Sequence, residues 1–184
     1  MIKRIVSGGQ TGVDRAALDV AIKLGIAHGG WIPRGRLTEN GPLPQKYHLE
    51  ETSSSRYSVR TEKNVVDTDG TLILSHGELT GGTEYTREMA IRHGRPWLHI
   101  DLVQMAAFHA ATAINHWVQE KKIEILDVAN RTDRKIYQLK RRAFKAVESG
   151  EKSEEDVLLE MSVERVRCPL LNTEDRCELY EYRP

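Results

Sequence analysis

The chain has 184 residues, 39% of them apolar, enough for one sizeable core but short for two full domains. Lys plus Arg equals Asp plus Glu at 27 each, so no global field draws the protein to nucleic acid or an anionic membrane. Any anion binding must therefore be local. The first six residues run into glycines too soon for a secretory segment, and no later run approaches membrane-spanning length, so a cytoplasmic protein is expected.

In chain order, residues 2–6 read as a buried strand. Ser7-Gly8-Gly9-Gln10-Thr11-Gly12 then turns into a helix whose face is traced by Val13, Ala17, Val20, Ala21 and Leu24 and which Gly25 ends. Residues 28–32 form a short second strand. Pro33, Gly35, Gly41, Pro42 and Pro44 mark a long ordered loop, the kind of segment that often carries binding groups. Residues 47–59 suit a short strand or edge segment, and 61–67 a brief helix capped by Thr61. From Gly70 the pattern alternates: strand 71–75, loop 76–82, helix 83–93, strand 97–100, helix 104–121 with Ala107, Ala111, Ile114 and Val118 on its core face, strand 123–129, and helix 132–148 ended by Gly150. This predicts an α/β fold, Rossmann-like and doubly wound, with a mostly parallel sheet and helices on both faces. Residues 1–150 form that domain, and 151–184 are a C-terminal extension of no assigned role.

Two glycine-rich turns, 7–12 and Thr80-Gly81-Gly82-Thr83, each follow a strand and open a helix. Glycine lets backbone N–H groups approach a ligand, and a helix N-terminus offers unpaired donors, so both turns suit phosphate. If the first strand and the 71–75 strand are neighbours where strand order reverses, both turns face one crevice. The first turn lacks the lysine of a Walker A loop and is not a full dinucleotide fingerprint. Around it, Gln10 and Thr11 add side-chain donors, and Asp14 and Arg15 lie in the helix's first turn. Arg34 and Arg36 could clamp a phosphate or carboxylate from the loop. Arg60, Thr61 and Asn64 form a smaller polar cluster. The second turn adds Thr83, Glu84 and Thr86.

Ser7 has no nucleophile-elbow context and reads as structural or ligand-binding. His109 and His116 would lie roughly 10 Å apart along one helix, too far to share a metal. Cys168 and Cys177 read as free thiols. The basic run Arg134, Lys135, Lys140, Arg141, Arg142 and Lys145 reads as a solvated helix face answering the acidic 151–156 segment rather than as a nucleic-acid surface.

Gly8-Gly9-Gln10-Thr11-Gly12-Val13-Asp14-Arg15-Ala16-Ala17-Leu18-Asp19, His28-Gly29-Gly30-Trp31, Pro33-x-Gly35-Arg36, Arg60-Thr61-x-x-Asn64-Val65, Asp69-Gly70-Thr71-Leu72-Ile73 and Gly81-Gly82-Thr83-x-x-Thr86 together resemble the molybdenum carrier, or molybdenum cofactor carrier, family over roughly residues 2–148. The resemblance implies a Rossmann-like fold related to the lysine-decarboxylase-like, or LOG, proteins. It implies storage or delivery of molybdenum cofactor, an anionic phosphorylated pterin bearing a dithiolene-bound oxo-metal. It also implies homodimers or homotetramers, with molybdoenzymes as recipients. LOG enzymes place a glutamate three residues after the turn's threonine, where this chain has Thr86. Where the carrier family tends to show Asn-Val-Ala-Gly-Pro-Arg, this chain has Asp127-Val128-Ala129-Asn130-Arg131. The resulting expectation is a binding protein for a molybdenum-cofactor-like or nucleotide-like anion. The alternatives are a nucleotide phosphoribohydrolase or N-glycosidase using Glu84 or Glu88, and a nucleotide sensor.

Overall fold

The computed structural model describes residues 1–130. Strand β1 (Arg4–Ser7) feeds the first glycine turn, and helix α1 (Val13–Leu24) follows. Gly25 ends α1 in the left-handed region at φ 67°. Its N–H donates to Ile22 O at 3.2 Å and that of Ile26 to Ala21 O at 2.9 Å, closing the last turn. Strands β2 (Ala27–Gly29) and β3 (Trp31–Ile32) come next, then the β4 (Leu37–Thr38) and β5 (Gly41–Pro42) hairpin and β6 (Glu50–Glu51). Helix α2 (Tyr57–Val66), β7 (Gly70–Ser75), α3 (Gly82–Arg92), β8 (Trp97–Asp101), α4 (Ala107–Glu120) and β9 (Ile125–Asn130) complete the described chain. None of the described helices is long and apolar enough to cross a membrane.

The main sheet has the order β2-β1-β9-β7-β8, all parallel, so every strand presents its carboxyl end at one edge. This is the expected doubly wound, Rossmann-like α/β architecture. One face packs Leu72, Leu126 and Val128 against Ala110 and Trp117 of α4, with Val13 and Ala17 of α1 alongside. A separate cluster joins Val65 of α2 to Met89 and Ala90 of α3. A third holds Leu18 of α1 against Ile32, Leu43, Tyr47 and Leu49, so the 33–49 loop is tied down by apolar side chains.

Several expectations are corrected. β1 and β7 are not neighbours. The last described strand, β9, lies between them, pairing Val6 with Asp127 on one side and Thr71 with Asp127 on the other. The glycine turns are thus offset by two strand spacings, about 10 Å, along one edge. The buried stripe of α1 is Asp14, Leu18 and Ala21, whereas Val20 and Leu24 face solvent. Hydrophobic periodicity misplaced it because an acid occupies one of its inward positions. Residues 28–32 divide at Gly30 (φ 130°), where a Cβ would strike Ser7 O, and β3 leaves the main sheet to pair with β6. Thr61 is buried within α2 rather than capping it, because the helix begins four residues earlier. In α4, Ala107 and Ala111 are exposed, and Ala110 and Trp117 are the buried residues. The helix expected at 132–148, the boundary after 150, the extension 151–184, Arg131, the basic run and both cysteines lie outside the described residues.

Candidate functional site

At the first turn the loop above closes over the backbone. Gly9 takes φ 68°, and a Cβ there would meet Leu43 and Leu49 methyls at 2.8 and 3.0 Å. The Gln10 side chain donates to Leu37 O at 3.3 Å and accepts from Glu39 N–H at 3.3 Å, while Thr11 donates to Glu39. Arg15 reaches Gly9 O at 3.4 Å and the Thr38 hydroxyl at 3.0 Å. Ser7 donates to Val128 O at 2.7 Å, lacing β1 to β9. Gln10, Thr11 and Arg15 thus hold the loop to the turn. Gly12 remains exposed at the helix start.

Arg36 performs the same task from the loop's side. At φ 52° its guanidinium donates to the carbonyls of Leu43, Leu49, Pro44 and Tyr47 at 2.8 to 3.2 Å. Four donors committed to its own loop leave little for a ligand. Arg34 is exposed.

Below the turn lies a buried acid pair. Asp14 Oδ2 accepts Gln10 N–H and Oδ1 accepts Asn130 N–H, both at 3.2 Å, so the carboxylate clips α1's start to the end of β9. Asp127 stands in mid-strand at the sheet's centre, 2% exposed like Asp14. Burial raises the Asp14 pKa to about 6. Burial and then the Asp14 charge raise that of Asp127 to about 7, and the Arg60 guanidinium holds both down.

Arg60 and Asn64, one turn apart on α2, approach the same end of β1. A Cβ at Gly8 would collide with Arg60 Nη1, so the glycine is what lets the guanidinium lie across the turn. Among the described residues nothing accepts a hydrogen bond from that guanidinium, and its Nε is buried. Asn64, 2% exposed, accepts Trp31 N–H at 2.7 Å through Oδ1, while its Nδ2 has no partner. Asn130 Oδ1 is likewise buried with no partner among the described residues, while the buried Thr71 hydroxyl faces the Asp127 carboxylate and helps hold its pKa down. Buried polar atoms are rarely left unsatisfied, and Arg60 Nε, Asn64 Nδ2 and Asn130 Oδ1 lie around the carboxyl edge of the sheet and its covering helix, where a polar ligand would meet them.

The second turn is open. Gly81 (φ 55°, ψ −116°) caps α3, and a Cβ at Gly81 or Gly82 would meet nothing within 4 Å. Thr83, buried, donates to Thr80 O at 3.0 Å and accepts Thr80 N–H at 3.3 Å; Thr86 donates to Gly82 O at 2.9 Å. The preceding loop is pinned to β8. Ser75 donates to Gly77 O at 2.6 Å, so with its one proton used it accepts from His99 Nε2 at 2.7 Å, and Asp101 accepts Gly77 N–H at 2.7 Å. Glu84 is paired with Arg87, and Glu88 is exposed. Among the described residues no group of three or more His, Cys, Asp or Glu could hold a metal ion.

Sequence reasoning missed Asp127, Thr71, Asn130 and the Ser75–His99 clamp. One signal was present: a single acid in the apolar run Ile125-Leu126-Asp127-Val128-Ala129, in a strand type normally buried on both faces.

No curated protein matches the chain. Among solved structures it is similar to the crystal structure of Putative molybdenum carrier protein from Syntrophus aciditrophicus SB, with 52% identity over 74% of this chain and 89% of that one and a TM-score of 0.71. A match to (E)-4-hydroxy-3-methyl-but-2-enyl diphosphate reductase is 11% identical over 78% of this chain and 59% of that one, with a TM-score of only 0.30. A family model, the circularly permutated YpsA SLOG family, matches residues 5–149, a span holding both glycine turns, Arg60 and the acid pair. The chain belongs to the circularly permutated YpsA SLOG family.

Proposed function

We propose that this chain is a carrier that binds a small phosphate-bearing anion, with molybdenum cofactor as the cargo. The observation that carries the reading is Arg60, a guanidinium laid across a glycine turn at the sheet's carboxyl edge, its buried Nε without an acceptor among the described residues. Arginine forks match phosphate oxygens, and parallel α/β sheets bind ligands at that edge. Asn64 Nδ2 adds a donor beside it, and the open N-terminus of α3 adds backbone donors with a partial positive charge. The 52% identical relative is named a molybdenum carrier, which supports a molybdenum-bearing cargo. Its metal would arrive already held by the pterin's dithiolene. A nucleotide monophosphate would use the same phosphate contacts.

Homo-oligomers and delivery to molybdoenzymes belong to the same proposal; exposed Val20 and Leu24 on α1 and Phe108 on α4 are apolar surface that a partner could cover. The test is mass spectrometry and molybdenum analysis of the small molecules that copurify with the protein from its native host. A phosphorylated pterin with molybdenum, lost in Arg60→Gln, is expected. Release of free base from nucleoside monophosphates, abolished by Glu84→Gln or Glu88→Gln, would overturn it in favour of an N-glycosidase.

A further inference from the structure

The interior of the site holds more negative than positive charge. Asp14 and Asp127 are both buried, and among the described residues Arg60 is the cation whose field reaches both. Two carboxylates answered by one guanidinium cannot both stay ionised in dry surroundings without cost, and such a pair titrates as a unit. Arg60 has the converse problem, since the acids supply it with a field but no hydrogen-bond acceptor. An anion arriving over Gly8 would supply acceptors in direct reach.

Resting on the reading that an anion binds beside Arg60, we propose that the ligand takes Arg60 as its partner and the Asp14–Asp127 pair takes up one proton in exchange, so that each ligand enters with a proton wherever the free pair is ionised. Solvent supplies the proton, one O–H bond forms on the pair, and no other covalent bond changes. Asp127 faces Asp14 from the start of α1, Arg60 from α2 and Thr71 from β7; Asp14 also feels Glu39 of the loop. With Arg60 still holding both down, burial, and for Asp127 the Asp14 charge as well, already bring the pair close to neutral titration, Asp14 to about 6 and Asp127 to about 7. Diverting the guanidinium's charge to a ligand moves the bound pair higher still. Below this range the free pair already holds its proton and affinity is level. Above about pH 7 affinity falls as pH rises, by up to about tenfold per unit for one linked proton.

The probe is radiolabelled sulfate, a tetrahedral dianion whose own charge is constant over the range, in equilibrium dialysis against the full chain from about pH 6 to about pH 9. Proton uptake is followed with an indicator dye in weakly buffered solution. The wild type is expected to weaken by up to about tenfold per unit above about pH 7 and, in that range, to take up close to one proton per sulfate. Asp127→Asn, nearly isosteric, is expected to bind at low pH within about threefold of wild type and to lose the pH dependence. Level affinity and no proton uptake in wild type, or full pH dependence retained in Asp127→Asn, overturns the proposal. If Arg60→Gln at the same time abolishes binding, the anion site itself stands; if Arg60→Gln binds sulfate as wild type does, the site and the proposal fall together. Should Asp127→Asn not fold, the proton count in wild type decides.

Discussion

The two glycine turns begin alike and end differently. Gly12 (φ 85°, ψ −135°) and Gly81 (φ 55°, ψ −116°) cap their helices in nearly the same backbone conformation, one that residues with a Cβ rarely adopt. At the first, a 37–49 loop pinned by Arg36 lays Leu43 and Leu49 over Gly9, Gln10 ties loop to turn, and Asp14 answers the Gln10 N–H that a ligand would otherwise meet. At the second, Gly81 and Gly82 face open space and the acid in the first helical turn is drawn aside by Arg87. A strand-to-helix glycine turn is therefore only a potential anion site; what covers it decides whether its donors are used internally. The covered turn still contributes, because its glycine at position 8 makes room for the Arg60 guanidinium.

The contrast can be broken most sharply by steric substitution. Gly9→Val forces a branched side chain into a left-handed backbone position already packed by two leucines and should cost on the order of 3 kcal/mol in urea unfolding. Gly82→Val, in open space on a helix's first position, should stay within about 1 kcal/mol of wild type while impairing anion binding. Equal destabilisation by the two would erase the distinction drawn between the turns.

Next in size is the effect of Arg60→Gln on ligand content. Loss of a charge-assisted contact of about 2 kcal/mol corresponds to roughly thirtyfold weaker binding, read as copurifying ligand per subunit. Arg36→Gln should instead lower stability with little direct effect on the ligand, since its donors serve the loop. A reversal of those two outcomes would place the anion at the loop.

The pH profile sharpens the comparison further. Asp14 and Asp127 have folded pKa values raised above the ordinary carboxylate value of 3.8, so the folded state binds their protons more tightly than the unfolded chain does. Their contribution to stability is full below about pH 4 and is lost as pH rises through about 6 to 7. With the ligand removed, Asp127→Asn should therefore flatten the decline in melting temperature between pH 5 and 8. A profile unchanged from wild type would mean that the acid at the sheet's centre is not held above its ordinary range.

The smallest effect concerns Gln10. Removing its two long bonds to the loop in Gln10→Ala should cost about 1 kcal/mol and leave more of the first turn's backbone open to solvent, visible as faster amide exchange at Gly9 and Gly12. Unchanged exchange would show that Leu43 and Leu49 alone cover that turn.

Outside the β4–β5 hairpin, which reads as loop, and the break between β2 and β3, local chemistry in the chain determined the order of strands and helices, the Gly25 stop, the two glycine turns and the parallel architecture. Each follows from period, capping or backbone freedom within a few residues. Tertiary structure decided the rest. Nothing near residue 127 says that the last described strand inserts between β1 and β7, because strand order depends on which crossover packs over the sheet. For the same reason Arg36 and Arg60 look alike as loop and helix arginines. Only assembly commits one to four carbonyls of its own loop and leaves the other over a bare glycine beside two buried acids, since burial and hydrogen-bond supply are set by segments far apart in the chain.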